Sequence, residues 1–529
     1  MRFAVLFLLS LAFPAHSGSG KYFTPSHRLS GIGVARDDLS DDLVAARTDL
    51  MIQSQTFTIM REQQALAGAR RITTDRRLQS IFHSASARSG LPTSLIEAIA
   101  YLESWGDAKA ESPAGPRGIM QISAATARSM GLKVSVVTRY RVTRERVPIP
   151  GKKRRYRTVT HRTPYVVTRR DDRLVPERAI PAAAQYLAGM EQKFGGRDWA
   201  IFAYHCGQGC VGEMLDLTRR ARGIPSSQVT VPRMFFSCSP VWNRELYQAI
   251  QQQMQRDYSP TYYFRIMRAE QLLDLYRHDP NAFGRLSEEY RGDFPPGTRP
   301  QHRLAVWLKQ DDFIFRKLDD IRGDEGKRLV KAVDRPDYLG YTLRLSPDSP
   351  ADAAAYAQAS PAALGALAYI AFETRRLFEQ MNPGHEFQPL PVSSLVEPED
   401  FARQINPRDG LAHTSGQVFD IDFSGLRPAE LECLRFVLDD LGWDGYLGFI
   451  EEGTGSFHAG PSPASRDFFT SVFEESQQDS EKSPEKTTEE VTPQTVAPAP
   501  IQTPAETDSP APDPQTPAPT PPPPAASGR

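Results

Sequence analysis

Glu103 is the residue in this chain best placed by sequence for proton transfer. It ends an apolar stretch, Leu91 to Leu102, and a glycine-punctuated segment, Ser112 to Gln121, follows it. A carboxylate among apolar neighbours has its charged form disfavoured, so it can hold a proton near neutrality. Such a group is a general acid, suited to protonating an oxygen as a bond to it breaks. The element that carries it is readable too. Leu95, Ile96, Ile99, Ala100 and Leu102 recur at helical spacing. Ser94 with Glu97 three residues on has the form of a capping box at the helix start. Glu103 then projects from the helix end towards the glycine segment. Taken alone, an acid at a helix end is more often an ordinary surface group.

Three stretches in order change that weighting. They read Glu103-Ser104, then Ser112 through Gly118-Ile119-Met120-Gln121, then Ala203-Tyr204-His205-Cys206-Gly207, the last preceded by Ala182 to Leu187. Together they resemble the lytic transglycosylases, goose-lysozyme-like enzymes that cut bacterial peptidoglycan. The resemblance covers about residues 75–215. His205 stands where that family usually has Asn. Most glycosidases use two carboxylates, and this motif set holds one. The resemblance implies that Glu103 protonates the glycosidic oxygen between N-acetylmuramic acid and N-acetylglucosamine. Glu103 then deprotonates the C6 hydroxyl, leaving a 1,6-anhydro end. It further implies that Ser104 and Gln121 orient the acid or the acetamido group, that Met120 lines the cleft, and that Tyr204 positions Glu103 by a hydroxyl hydrogen bond. No cofactor is implied for this step. A second class of function is a catalytically inactive peptidoglycan-binding or cell-wall assembly protein that keeps the same cleft.

A second set of residues has metal-ligand character: His413 and Asp420, then His458, with Ser393-Ser394 upstream. Two histidines and an aspartate can make a three-ligand zinc site with one open position. The order resembles the zinc D-Ala-D-Ala carboxypeptidases, which implies zinc on His413, Asp420 and His458 and places Ser394 near substrate. That family carries an acidic base three residues before the last histidine, where this chain has Gly455, and an arginine after the serine pair, where it has Glu397. Glu451 or Glu452 would have to replace the base.

The surrounding organisation follows from composition. The chain has 529 residues and a net charge of −1, an average over opposite extremes. Residues 1–17 read as a secretory signal peptide, which predicts export across the inner membrane to the periplasm and, with no later spanning run, no stable membrane anchor. The transglycosylase-like domain is expected over 40–245. Within it, 133–170 is rich in β-formers and carries thirteen Lys/Arg against the single acid Glu145. That reads as a β-hairpin insertion turning at Pro148 to Lys152. Its basic faces suit anionic wall polymers, or serve as a solvated edge protected by charge. Nucleic acid is a poor partner for an exported chain. Residues 246–385 show amphipathic helices without evident chemistry, 386–470 a small α+β domain, and 474–529 a disordered Pro/Thr/Glu-rich tail. The predicted fold is mainly α, a lysozyme-like helical domain with these additions. Two of Cys206, Cys210 and Cys238 are expected to pair, and Cys433 to be a buried thiol. A zinc site on His205, Cys206 and Cys210 fits no standard spacing.

Overall fold

The computed structural model describes residues 22–26, 29, 39–148, 156–254, 261–290, 305–345, 353–405, 412–452 and 455–482. The expected signal peptide and hairpin tip lie outside these residues, as does the tail beyond Lys482. The architecture is mostly helical with small sheets, as the apolar periodicity predicted.

The helix Thr93–Ser104 carries Glu103 and is almost wholly buried along its first half. No capping box starts it. Its N-cap is Pro92, without a side-chain cap. Glu97 is turned inward instead, 1% exposed, where it pairs with Arg277 and accepts from Gln79 Nε2 at 2.6 Å. A buried carboxylate costs several kcal/mol unless paired, so Arg277 decides where Glu97 points. Arg277 belongs to the helix Tyr262–His278, which packs on Thr93–Ser104, Asp41–Met60 and Arg197–Cys206. The boundary expected at 245/246 therefore separates nothing: Tyr262–His278 completes the core around Glu103, and Met1–Lys482 forms one unit.

The insertion is a hairpin, as expected. Strands β1 (Val134–Pro148) and β2 (Tyr156–Asp171) pair antiparallel and form a sheet of their own. Two short strands, β3 (Val330–Lys331) and β5 (Gln358–Ala359), make another small sheet. The remaining strands are β4 (Tyr341–Leu343), β6 (Leu390–Ser394), β7 (Phe419–Asp422), β8 (Leu447–Glu452) and β9 (Ser456–Pro461), in the order β4-β6-β7-β9-β8. Helix Pro361–Met381 packs against Pro428–Trp443 and Arg466–Lys482 and also contacts β4 and β9. It thus packs on elements from both sides of the expected 385/386 boundary. Arg466–Lys482 is helical where the tail was expected to begin, because Phe469 and Val472 bury against Pro361–Met381.

Candidate active site and metal centre

The glycine segment is held from three sides. Ser104 is buried and donates to Ala100 O at 3.1 Å and Ile119 O at 2.8 Å, which ties the helix end to the loop. Gln121 has φ 43 and spends its amide on Ala110 O (3.2 Å) and Gly118 O (2.9 Å). From the hairpin base, Arg173 donates to Gly115 O at 3.2 Å and Ile122 O at 3.1 Å while forming a 2.7 Å ion pair with Asp171. Burial raises the Asp171 carboxyl, but hydrogen bonds and charge from Arg173 outweigh it and hold the group below its usual range. Gly118 lies at φ +79, where a Cβ would sit 1.9 Å from the Arg173 carbonyl oxygen. Only glycine allows that approach.

Against these constraints, the roles expected of four residues change. Ser104 and Gln121 are turned onto backbone carbonyls and shape the loop. Met120 is 1% exposed and belongs to the core, so it lines no open wall. Tyr204 donates its one hydroxyl hydrogen to Met120 O at 2.7 Å and leaves Glu103 to another residue.

That residue is Tyr262, whose hydroxyl donates to Glu103 Oε1 at 2.7 Å. Its ring stacks on His205, with centroids 4.6 Å apart and planes 18° off parallel. Tyr186 meets Tyr204 edge-on at 6.4 Å. Burial, reinforced by the charge of Glu103, pushes the Tyr204 and Tyr262 hydroxyls well above their usual range, so both remain protonated donors. Glu103, half-buried, thus stands among aromatic rings and one fixed hydroxyl. The Tyr262 contact spans 159 residues. No spacing rule reaches that far, and Pro260-Thr261-Tyr262-Tyr263 was the sole local sign, a pair of aromatics at a helix start. Cys206 pairs with Cys210 across the Gly207 corner beside His205. Cys238 and Cys433 are buried thiols.

The second set also converges. Ser394, Asp420 and His458 are cross-strand neighbours on β6, β7 and β9, and His413 enters from the turn before β7. His413 Nε2 lies 3.2 Å from Asp420 Oδ1 and 3.1 Å from His458 Nδ1, and the latter two are 2.9 Å apart. His413 Nδ1 faces the Leu395 carbonyl at 2.6 Å. A carbonyl only accepts, so this network assigns a hydrogen to Nδ1. Burial raises the Asp420 carboxyl, but His413 and His458 outweigh it and drive it far below its ordinary range. Tetrahedral zinc with bonds of about 2.0–2.1 Å would separate its ligand atoms by about 3.3 Å, close to the spacing of these three atoms. The donor set fits zinc. The missing base is not supplied by Glu451, which pairs with Arg435 at 2.6 Å. In the register Glu451 opposes Phe457, on the sheet face away from His458. Ser394 donates to Glu397, at the position where an arginine was expected.

Part of the chain is similar to known proteins. The chain is 33% identical over 133 residues to the peptidoglycan transglycosylase gp16 of Escherichia phage T7, covering 25% of this chain and 8% of that protein. It is 28% identical over 155 residues to the membrane-bound lytic murein transglycosylase F 2 of Alkalilimnicola ehrlichii, covering 28% of this chain and 25% of the relative. The matches thus span a quarter or less of either relative's length. Among solved structures, the lytic transglycosylase Slt of Pseudomonas aeruginosa, as an inactive mutant, aligns at 19% identity and TM-score 0.24 over 47% of this chain and 32% of its own. Residues 80–146 and 155–224, which include Glu103 and Tyr204 but not Tyr262, match the family model of the transglycosylase SLT domain.

Proposed function

We propose that this chain is a lytic transglycosylase of peptidoglycan, with Glu103 as its acid and base. The observation that carries the reading is a single carboxyl, inside the span similar to the SLT domain, held by the Tyr262 hydroxyl beside a loop locked by Ser104, Gln121 and Arg173. Glu103 gives its proton to the glycosidic oxygen between N-acetylmuramic acid and N-acetylglucosamine. The sugar C1 becomes cationic, and the muramoyl N-acetyl oxygen stabilises it, as in substrate-assisted glycosidases. Glu103, now a carboxylate, takes the proton of the C6 hydroxyl as that oxygen bonds to C1. The product is a 1,6-anhydromuramoyl end, and no water is consumed. The hydrogen bond from Tyr262 fixes the carboxyl's orientation through both steps, which is worth most when the reacting atoms are held at bonding approach. The periplasm, reached through a cleaved signal peptide, is the compartment this substrate requires.

Mass spectrometry of purified peptidoglycan digested with the protein tests the reading. Anhydro ends are expected, and Glu103→Gln should remove them while leaving the fold intact, because Gln keeps the shape and lacks the proton. General acid–base catalysis contributes roughly 10²–10⁴-fold. Anhydro products at near wild-type rate from the variant would exclude Glu103, and sacculus binding without sugar release would favour an inactive wall-binding protein.

A second reading rests on its own observation, the convergence of His413, Asp420 and His458. We propose that these residues hold zinc, whose chemistry is Lewis acidity towards a carbonyl oxygen. Leu395 orients His413 for it through Nδ1, as the outer partners of metal-bound histidines do. With Gly455 where the related peptidases carry an acid, and Glu451 on the far face, D,D-carboxypeptidase activity is expected to be weak at most.

A further inference from the structure

The hairpin carries more than charge. Among the described residues, strands β1 and β2 form a two-stranded sheet of their own, and fifteen residues of β1 extend it by about 50 Å. Away from its base, positions 139–146 and 160–163 are exposed. Alternation along β1 puts Tyr140, Val142, Arg144 and Arg146 on one face, and the register sets Arg162 opposite Val142 on that same face. Tyr140 is 58% and Val142 49% exposed, the two most exposed large apolar side chains among the described residues. An isolated two-stranded ribbon is marginally stable in water at best, and this apolar pair is left in contact with solvent rather than covered by the core.

We propose that this face of the ribbon docks on an anionic lipid bilayer. A soluble wall polyanion, the partner that charge alone suggests, rewards the arginines but gives no gain for exposing Tyr140 and Val142. A bilayer surface rewards both. Its phosphate headgroups attract Arg144, Arg146 and Arg162, the aromatic ring of Tyr140 suits the headgroup level, and Val142 gains by leaving water for the acyl boundary. Twelve Lys/Arg against one acid between residues 134 and 170 match the sign of such a surface. No helix among the described residues is long and apolar enough to cross a membrane, and this docking needs none. At the ribbon's root, Asp171 and Arg173 clamp the glycine segment beside Glu103. Docking the ribbon thus orients the candidate active site relative to the bilayer. The inference stands whether or not the chain cleaves peptidoglycan.

The test is sedimentation of the full chain with phosphatidylglycerol/phosphatidylcholine vesicles, with phosphatidylcholine vesicles, and with polyphosphate as a soluble polyanion. Wild type is expected to bind the anionic vesicles. Tyr140→Ser with Val142→Ser should weaken that binding about ten-fold, the worth of one buried apolar side chain, and leave polyphosphate binding unchanged. Arg144→Gln, Arg146→Gln and Arg162→Gln should each cost about five-fold on both probes. The substituted groups are exposed, so wild-type melting is expected; should the serine pair melt early, Tyr140→Thr with Val142→Thr keeps strand propensity and replaces it. The proposal is overturned if the apolar variant sediments like wild type, which would mark a polyanion surface, or if wild type binds both vesicle types equally.

Discussion

Replacing Gly118 by alanine tests whether the glycine segment positions the reaction. The added Cβ would lie 1.9 Å from the Arg173 carbonyl oxygen and 2.7 Å from its carbon. Ordinary contact begins near 3.5 Å, so loop and hairpin root must part by about 1.5 Å. Neither side yields cheaply. Arg173 is bound to Asp171, Gly115 and Ile122, and the loop is bound to Ser104 and Gln121. The φ of +79 adds about 1 kcal/mol for a residue with a Cβ. Gly115→Ala is the matched control. Its φ is +103, yet nothing lies within 4 Å of its Cβ position, so it carries the conformational cost without the collision. A displacement of about 1 Å at an active site can cost roughly 100-fold in rate. Release of anhydro-muropeptides should therefore fall by about two orders of magnitude in Gly118→Ala and by much less in Gly115→Ala, with melting temperatures reported for both. Equal and near wild-type rates in the two variants would refute the reasoning, because the loop's position would then not matter to Glu103.

Three further outcomes follow from the same contacts. Tyr262→Phe removes a hydrogen bond to the Glu103 carboxyl worth about 1 kcal/mol; it should lower kcat about five-fold with KM little changed, and an unaltered kcat would show that Glu103 needs no such support. Asp171 has a folded pKa below its unfolded value, so its stabilising contribution is present above about pH 4 and lost as pH falls through the folded value; Asp171→Asn should destabilise the protein at neutral pH and flatten the acid side of a melting-temperature profile, and parallel profiles would contradict this. His413→Ala should abolish stoichiometric zinc after reconstitution and with it the zinc-dependent rise in melting temperature; metal analysis finding no zinc on the wild-type protein would remove the second site.

Local pattern was enough for much of this chain. Helical spacing set the helix that carries Glu103, and strand composition with a charged, turn-rich centre set the hairpin. These signals act over a few residues, where propensity and period are decisive. What the tertiary structure decided is which polar group meets which. Glu97 has the spacing of a cap yet lies buried, because Arg277 arrives from a helix 180 residues away. Ser104 and Gln121 have the types of substrate ligands yet turn inward, because the glycine loop leaves carbonyls that need donors in a buried setting. Tyr204 and Tyr262 are equally able to donate, and packing alone gives Glu103 to Tyr262. A hydrogen bond depends on atoms meeting within a few ångströms at the right angle, and for residues far apart in the chain only the finished packing sets that distance.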